Sequence, residues 1–229
     1  MIKDDAPRGS ASPPCLAEQI DPTYFDPLAV DPQQAQDVAR WRKAERLRLL
    51  AERAALSVAS RHEAALVIAA HIDRLLLDRF GTVKGLVISA WWPIKAELNL
   101  RHYLTDLVSR GAQVALPVVL VPKTPLVFRP WTPDCKMVQG FWKIPIPAEG
   151  PEVSPDVALA PVVGWDAAGY RLGYGGGYFD RTLAALAPRP LAIGVGLHAV
   201  QVPTIFPQPH DIAMDVVVTE AGEQKGTTP

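Results

Sequence analysis

Short apolar runs without helical period alternate with segments that do have one, and this alternation most narrows the folds open to the chain. Residues 85–91, 114–119, 157–163, 191–195 and 214–219 are such runs. Lacking the polar alternation of a half-exposed strand, they read as strands covered on both faces. Helical pattern falls between them at 99–110, where Gly111 supplies the stop, and at 178–186. Strand, helix and strand at this spacing predict parallel βαβ units. Residues 126–131 add an edge strand, because Pro125 and Pro130 bracket them. The fold class is therefore α/β: an open, mostly parallel sheet flanked by helices on both faces, Rossmann-like.

Two helices precede the first strand. One is predicted from Asp37, as its cap, to about Leu56, and one from about Ser60 to Arg79. In the first, Leu47, Leu50 and Ala54 form one stripe and Arg42, Arg46 and Arg53 another. The apolar stripe is expected inside, and the arginines read most simply as a solvated basic face. In the second, Leu66, Ala69, Ile72 and Leu76 form the apolar stripe. Before them, Pro7, Pro13, Pro14, Pro22, Pro27 and Pro32 exclude helix and central strand, so residues 1–36 read as a proline-rich arm. Tyr24, Phe25, Leu28 and Val30 suggest that part of the arm docks. Residues 37–220 form a single domain and 221–229 a flexible tail.

Of 229 residues, 23 are Lys or Arg and 24 Asp or Glu, a net charge of -1 that excludes a generally basic nucleic-acid coat. The basic run from Arg40 to Arg53 is interrupted by Glu45 and Glu52, so no nucleic-acid partner is expected. Cys15 and Cys135 make no disulfide scaffold and no CxxC metal site. Acids stand where a secretory signal needs an apolar run, and no stretch reaches the length of a membrane helix. A cytoplasmic protein is expected, with no membrane partner, as a monomer or small homo-oligomer.

The segment Arg171-Leu172-Gly173-Tyr174-Gly175-Gly176-Gly177-Tyr178-Phe179-Asp180-Arg181 joins a strand to a helix. Its glycines let backbone N–H groups turn toward a ligand, and the helix that follows adds its free N–H groups and positive dipole end. Arg171 adds a charge-assisted contact. The place suits a phosphate. A turn that serves only the fold is the plainer alternative. No Gly-Lys-Ser/Thr is present, so this is no Walker A loop. Tyr178 stands where a dinucleotide fingerprint needs its third glycine, and no acid lies between Asp180 and Asp211 to hold a ribose.

The segment resembles the signature of the 5-formyltetrahydrofolate cyclo-ligase (methenyltetrahydrofolate synthetase) family. Pro161-Val162-Val163-Gly164-Trp165-Asp166, Asp211-Ile212-Ala213-Met214-Asp215-Val216-Val217-Val218-Thr219, Trp92-Pro93-Ile94-Lys95-Ala96-Glu97-Leu98 and Trp142-Lys143-Ile144-Pro145-Ile146-Pro147 extend the likeness over roughly residues 40–220. The resemblance implies a NagB/RpiA/CoA-transferase-like fold. It also implies an ATP- and Mg²⁺-dependent enzyme that converts 5-formyltetrahydrofolate to 5,10-methenyltetrahydrofolate, with ADP and phosphate as the other products.

By that resemblance, Arg171, Gly173, Gly175, Gly176, Gly177, Tyr178 and Phe179 bind ATP, joined by Arg42 and Arg46 from the first helix. Arg171 and Tyr178 act in catalysis. Asp180 and Asp215 hold Mg²⁺. Trp92, Glu97, Trp142, Tyr174 and Tyr178 bind the folate, Glu97 pairing with pterin N–H donors. Phe179 stands where many members have Tyr, His210 where Trp is common, and Tyr174 and Gly176 where some members carry basic residues. A paralogue that keeps the ATP site and acts on another substrate, or only binds folate or nucleotide, remains the alternative.

Overall fold

The computed structural model describes residues 32–224. The proline-rich arm up to residue 31, including its proposed docking residues, and residues 225–229 lie outside the described residues. One compact unit runs from Val38 onward; of the unit before it, Met1–Asp37, only the opening turns of the first helix are described.

Helix α1 spans Pro32–Ala55 and α2 spans Val58–Phe80. The first starts five residues earlier than the sequence suggested. A proline in the first turn forfeits only an N–H that has no partner there anyway, so Pro32 opens the helix and Asp37 lies inside it. Ser57 caps α2 through its hydroxyl, which accepts from Ser60 N–H at 3.0 Å, and Gly81 closes it in the left-handed conformation (φ 72°).

Strands β1 (Val87–Ser89), β2 (Gln113–Val118), β3 (Val127–Pro130), β6 (Val157–Pro161), β9 (Leu191–Val195), β10 (Val216–Thr219) and β11 (Gly222–Gln224) form one sheet. Its order is β11-β10-β9-β6-β1-β2-β3. The five inner strands are parallel, and the edge strands β3 and β11 are antiparallel. Val157, Ala158, Leu159 and Ala160 of β6 and every residue of β10 are buried, as parallel strands covered on both faces must be. Helix α3 (Arg101–Ser109) crosses from β1 to β2, and α4 (Tyr178–Ala185) lies between β6 and β9. Residues 222–224, expected to begin the tail, pair with β10 as the closing edge.

Two small ribbons were not legible as strands in the sequence: β4 (Met137–Gln139) with β5 (Pro145–Pro147), and β7 (Gly164–Trp165) with β8 (Arg171–Leu172). They are two or three residues long, too short for any period to register.

The largest correction concerns α1. Leu47 is 63% exposed and Ala54 is exposed, whereas Arg42, Leu49 and Arg53 are buried. The arginine stripe faces inward. In α2 the buried set is Ala65, Ile68, Ile72 and Leu76, with Leu66 exposed. Among the described residues no helix is long and apolar enough to cross a membrane.

Candidate active site

The β7–β8 ribbon delivers the glycine-rich loop. Asp166 folds its turn: one carboxylate oxygen accepts from Ala168 N–H (3.1 Å) and Tyr170 N–H (3.0 Å), and the other from Ile205 N–H (3.0 Å). At Gly164 a β-carbon would stand 2.6 Å from Leu49 Cδ1, so glycine is what lets α1 lie close against the ribbon. The chain then turns through Gly175 (φ 91°) and Gly177 (φ 63°) into α4. Gly177 caps α4 without a side-chain hydrogen bond, so the first N–H groups of this helix have no side-chain acceptor at the cap.

Arginines ring this loop. Arg46 Nε donates to Gly173 O at 2.7 Å, and its guanidinium lies 3.5 Å from where a β-carbon on Gly175 would sit. Among the described residues Arg46 forms no ion pair, and the Asp211 charge reaches it only at longer range. Burial and the neighbouring Arg42 charge press its pKa down, the condition of a cation that gains from an added anion. Arg181 donates to Gly176 O and lies over the Tyr178 ring. Arg171 is buried beneath the loop, donates to Asp180 at 3.0 Å and stacks on Phe179 with 5.0 Å from Cζ to the ring centre. Burial lowers its pKa too, opposed by Asp180 and Asp211.

Arg42 is placed differently. Although one turn from Arg46, it is committed to the protein: Nε donates to Ile205 O (2.8 Å), Nη2 to Phe206 O (2.8 Å) and to Asp211 (2.5 Å), and Nη1 to the other Asp211 oxygen (3.3 Å). Four of its roughly five N–H donors are thus used. Asp211 also accepts from Gln208 N–H at 2.6 Å. Burial works against its carboxylate, yet the bonds from Arg42 and Gln208 outweigh that and hold its pKa below the usual range. The shared face of Arg42 and Arg46 is as the spacing indicates, but Arg46 alone of the pair lies on the loop. Arg42 fixes the 205–211 segment to α1. Of the basic run of α1, Arg42 and Arg53 are buried and Arg48 is paired to Glu45 and Glu52.

A second wall carries Glu97, buried, its carboxylate accepting from Ile94 N–H at 2.9 Å. Burial pushes its pKa up, against the pull of that N–H and of the Arg53 charge. Glu97 lines a narrow crevice of about 10 Å³ with Arg53, Trp91, Leu98, Val162 and Val195, and a flat ring enters only by parting these walls. Trp91, not Trp92, faces this crevice. Adjacent residues of extended chain point to opposite sides, and Trp92 instead lies against the Arg101 guanidinium, 5.0 Å from Cζ to the ring centre. Arg53 Nη2 donates to Lys95 O (3.1 Å) and to the Tyr174 hydroxyl (2.5 Å), joining the crevice to the glycine-rich loop. Burial, then the Glu97 charge, raises the Tyr174 phenol to about 12.

Trp142 is 61% exposed and packs edge-on against Tyr178 (5.3 Å between centres), so the β4–β5 hairpin reaches the start of α4. The Tyr178 hydroxyl accepts from Lys123 N–H at 3.1 Å. The backbone is unusual here. Lys95, Ala96, Lys123, Trp142 and Lys143 all have positive φ, a strain that concentrates at functional sites.

Asp180 and Asp215 offer the oxygen donors that suit Mg²⁺. Asp180 accepts from Arg171 and from Ile212 N–H (3.3 Å); Asp215 accepts from Arg189 (2.9 Å) and Ala192 N–H (2.7 Å). Each carboxylate oxygen keeps a free lone pair beyond these bonds. Among the described residues no group of three His, Cys, Asp or Glu could hold a metal. Each of the two carboxylates is ion-paired within the protein, Asp180 with Arg171 and Asp215 with Arg189. Arg53 and Trp91 line the crevice and Asp211 holds Arg42, and sequence reasoning gave none of the three a place in the site. Only the spacing of Arg53 from Arg46 and Arg42 on one helical stripe could have signalled the first.

Against known proteins, residues 38–220 match the sequence model of the 5-formyltetrahydrofolate cyclo-ligase family. A 5-formyltetrahydrofolate cyclo-ligase of Mycolicibacterium smegmatis is 31% identical over 150 residues, 60% of this chain and 75% of its own length. One of Haemophilus influenzae is 30% identical over 138 residues, 57% of this chain and 71% of its own. The structure of Aquifex aeolicus 5,10-methenyltetrahydrofolate synthetase matches with a TM-score of 0.69 and 26% identity, covering 82% of this chain and 94% of that one. The Mycoplasma pneumoniae synthetase, at 22% identity and TM-score 0.63 over 78% of this chain and 98% of its own, shares the fold. The glycine-rich loop, its arginine ring and the Glu97 wall thus all lie inside a match spanning the domain, and the chain belongs to the 5-formyltetrahydrofolate cyclo-ligase family of enzymes.

Proposed function

We propose that the chain converts 5-formyltetrahydrofolate to 5,10-methenyltetrahydrofolate at the expense of ATP, releasing ADP and phosphate. The observation that carries this reading is the continuity of two unlike half-sites. An anion-attracting loop (Gly173 to Gly177, ringed by Arg46, Arg171 and Arg181) is joined by the Tyr174–Arg53 hydrogen bond to the crevice that the buried Glu97 lines. One half suits a triphosphate; the other suits a ring that presents N–H donors.

The chemistry needs both halves. A formamide carbon is a weak electrophile and its oxygen a poor leaving group. Transfer of the γ-phosphoryl group to the formyl oxygen forms a P–O bond and releases ADP. N10 of the folate then attacks the activated carbon, the ring closes, and the C–O bond breaks with loss of phosphate. The chain's part is positioning and charge stabilisation. Gly173, Gly175, Gly176, Gly177, Tyr178 and Phe179 place backbone N–H groups toward the phosphates. Arg46 and Arg171 stabilise the charge in transfer, and Tyr178 orients the formyl group. Glu97 grips the pterin, with Tyr174 and Trp142 as walls. Asp180 and Asp215 would hold Mg²⁺, which when bound neutralises phosphate charge. Arg42 serves through its grip on the 205–211 segment, and Trp92 stacks on Arg101 in the segment that leads from β1 to Glu97.

Glu97→Gln tests the folate half. Its charge is what the pterin donors need, so KM for 5-formyltetrahydrofolate should rise about 10- to 100-fold with KM for MgATP within twofold. Because burial raises the Glu97 pKa, the wild-type folate KM should climb as pH falls through a value above the usual carboxylate range, a limb that the Gln variant lacks. An unchanged folate KM in the variant removes Glu97 from the site.

A further inference from the structure

Two of the buried side-chain donors that have no hydrogen-bond partner among the described residues, Arg53 Nε and Trp91 Nε1, belong to residues that line the same crevice as Glu97. Both residues are 7% exposed. A buried donor without an acceptor is costly, and folds rarely tolerate it unless an outside partner meets it. The Trp91 indole N–H is near enough to Glu97 to favour its charged form, yet makes no bond of normal geometry with it. The crevice therefore pairs a carboxylate, which only accepts, with two donors that lack acceptors. Between them the walls are apolar: Leu98, Val162 and Val195. This pattern is complementary to a flat heterocycle that turns N–H groups to Glu97 and a carbonyl or ring nitrogen to Arg53 and Trp91.

We propose that Arg53 and Trp91 are substrate-reading residues: Nε and Nε1 donate to acceptor atoms on the heterocycle beside the edge that Glu97 holds. This rests on the folate reading above and adds to it residues that recognise the ring's acceptors. Arg53 is oriented in advance. Its Nη2 is held by Lys95 O and the Tyr174 hydroxyl, which fixes the plane of the guanidinium and with it the direction of the buried Nε–H. Holding a donor in place before binding reduces the ordering cost at binding. Lys95 and Ala96, both at positive φ, lie in the segment that carries Glu97.

Trp91→Phe keeps the aromatic wall and removes the N–H; Arg53→Lys keeps the charge and removes Nε. Calorimetric titration of each full-length variant with 5-formyltetrahydrofolate, and separately with a non-hydrolysable ATP analogue, tests the proposal. The expected result is a folate Kd raised about 10-fold in Trp91→Phe and about 10- to 100-fold in Arg53→Lys, with ATP-analogue affinity within twofold. The melting temperature of Trp91→Phe without ligand should equal or exceed the wild-type value, because an unsatisfied donor has been removed. Unchanged folate affinity in both variants overturns the proposal. So does a fall in melting temperature with parallel loss of both ligands, which marks a structural role. Failure of the wild type to bind 5-formyltetrahydrofolate would remove the folate reading itself, a result told apart because it does not depend on either substitution.

Discussion

Asp211→Ala should destabilise the domain by about 3–5 kcal/mol, because it strands the Arg42 guanidinium in a site where both partners are only 10% exposed. For a domain of this size that is a fall in Tm of about 10 °C. The loss has structural consequences beyond the pair. Arg42 also donates to Ile205 O and Phe206 O, and Ile212, next to Asp211, gives its N–H to Asp180. Removing the carboxylate therefore frees the segment that orients Asp180. Arg42→Ala should cost a similar amount, and the double variant less than the sum, since the two remove one interaction. The pH dependence has a definite sign. Asp211 has a depressed pKa in the fold, so its contribution is fully present above the ordinary carboxylate pKa and is lost as pH falls through the lower folded value. Thermal melts from neutral pH down to the acid limb should show this limb in wild type and not in Asp211→Ala. Additive single-variant effects would mean that the pair does not act as a unit.

Asp180→Asn should lower kcat with MgATP by about 10²- to 10³-fold, the size expected when one pre-placed electrostatic group is removed from a phosphoryl-transfer site. Asn keeps the shape and an acceptor for Arg171, so the fold should survive better than with Ala, which would leave a buried guanidinium unpaired. The Mg²⁺ concentration needed for half-maximal rate should rise, and KM for the folate should stay within twofold. Asp215→Asn should share the Mg²⁺ phenotype with a smaller stability cost, since the Asp215–Arg189 pair is a third or more exposed on both sides. Steady-state rates across Mg²⁺ concentrations, with circular-dichroism melts of the same preparations, separate the effects. A folded Asp180→Asn protein with wild-type kcat would take Asp180 out of the phosphate half.

The strand runs were legible because parallel strands covered on both faces leave unbroken apolar segments such as Val157-Ala158-Leu159-Ala160. The glycine-rich loop was legible because Gly175 and Gly177 do occupy backbone conformations that other residues strain to adopt. The orientation of α1 was not. Hydrophobic pattern places Leu47 inside and the arginines outside, and it fails because the acceptors that make Arg42 and Arg53 comfortable inside (Asp211, Ile205 O, Lys95 O, the Tyr174 hydroxyl) lie 42 to 169 positions away in the chain. No local period encodes a partner so distant. The choice between Trp91 and Trp92 was hidden for a related reason. Two adjacent tryptophans are equivalent in sequence until the sheet fixes which side each takes.

One assay tests the proposed reaction directly. Purified protein is mixed with 5-formyltetrahydrofolate and MgATP, the near-UV absorption of the methenyl product is followed, and ADP is measured in the same samples, with ATP omitted from a parallel set. Methenyl product is expected only where ATP is present, with one ADP for each product formed. Folded protein that forms no product with both substrates supplied, or forms it equally well without ATP, would contradict it.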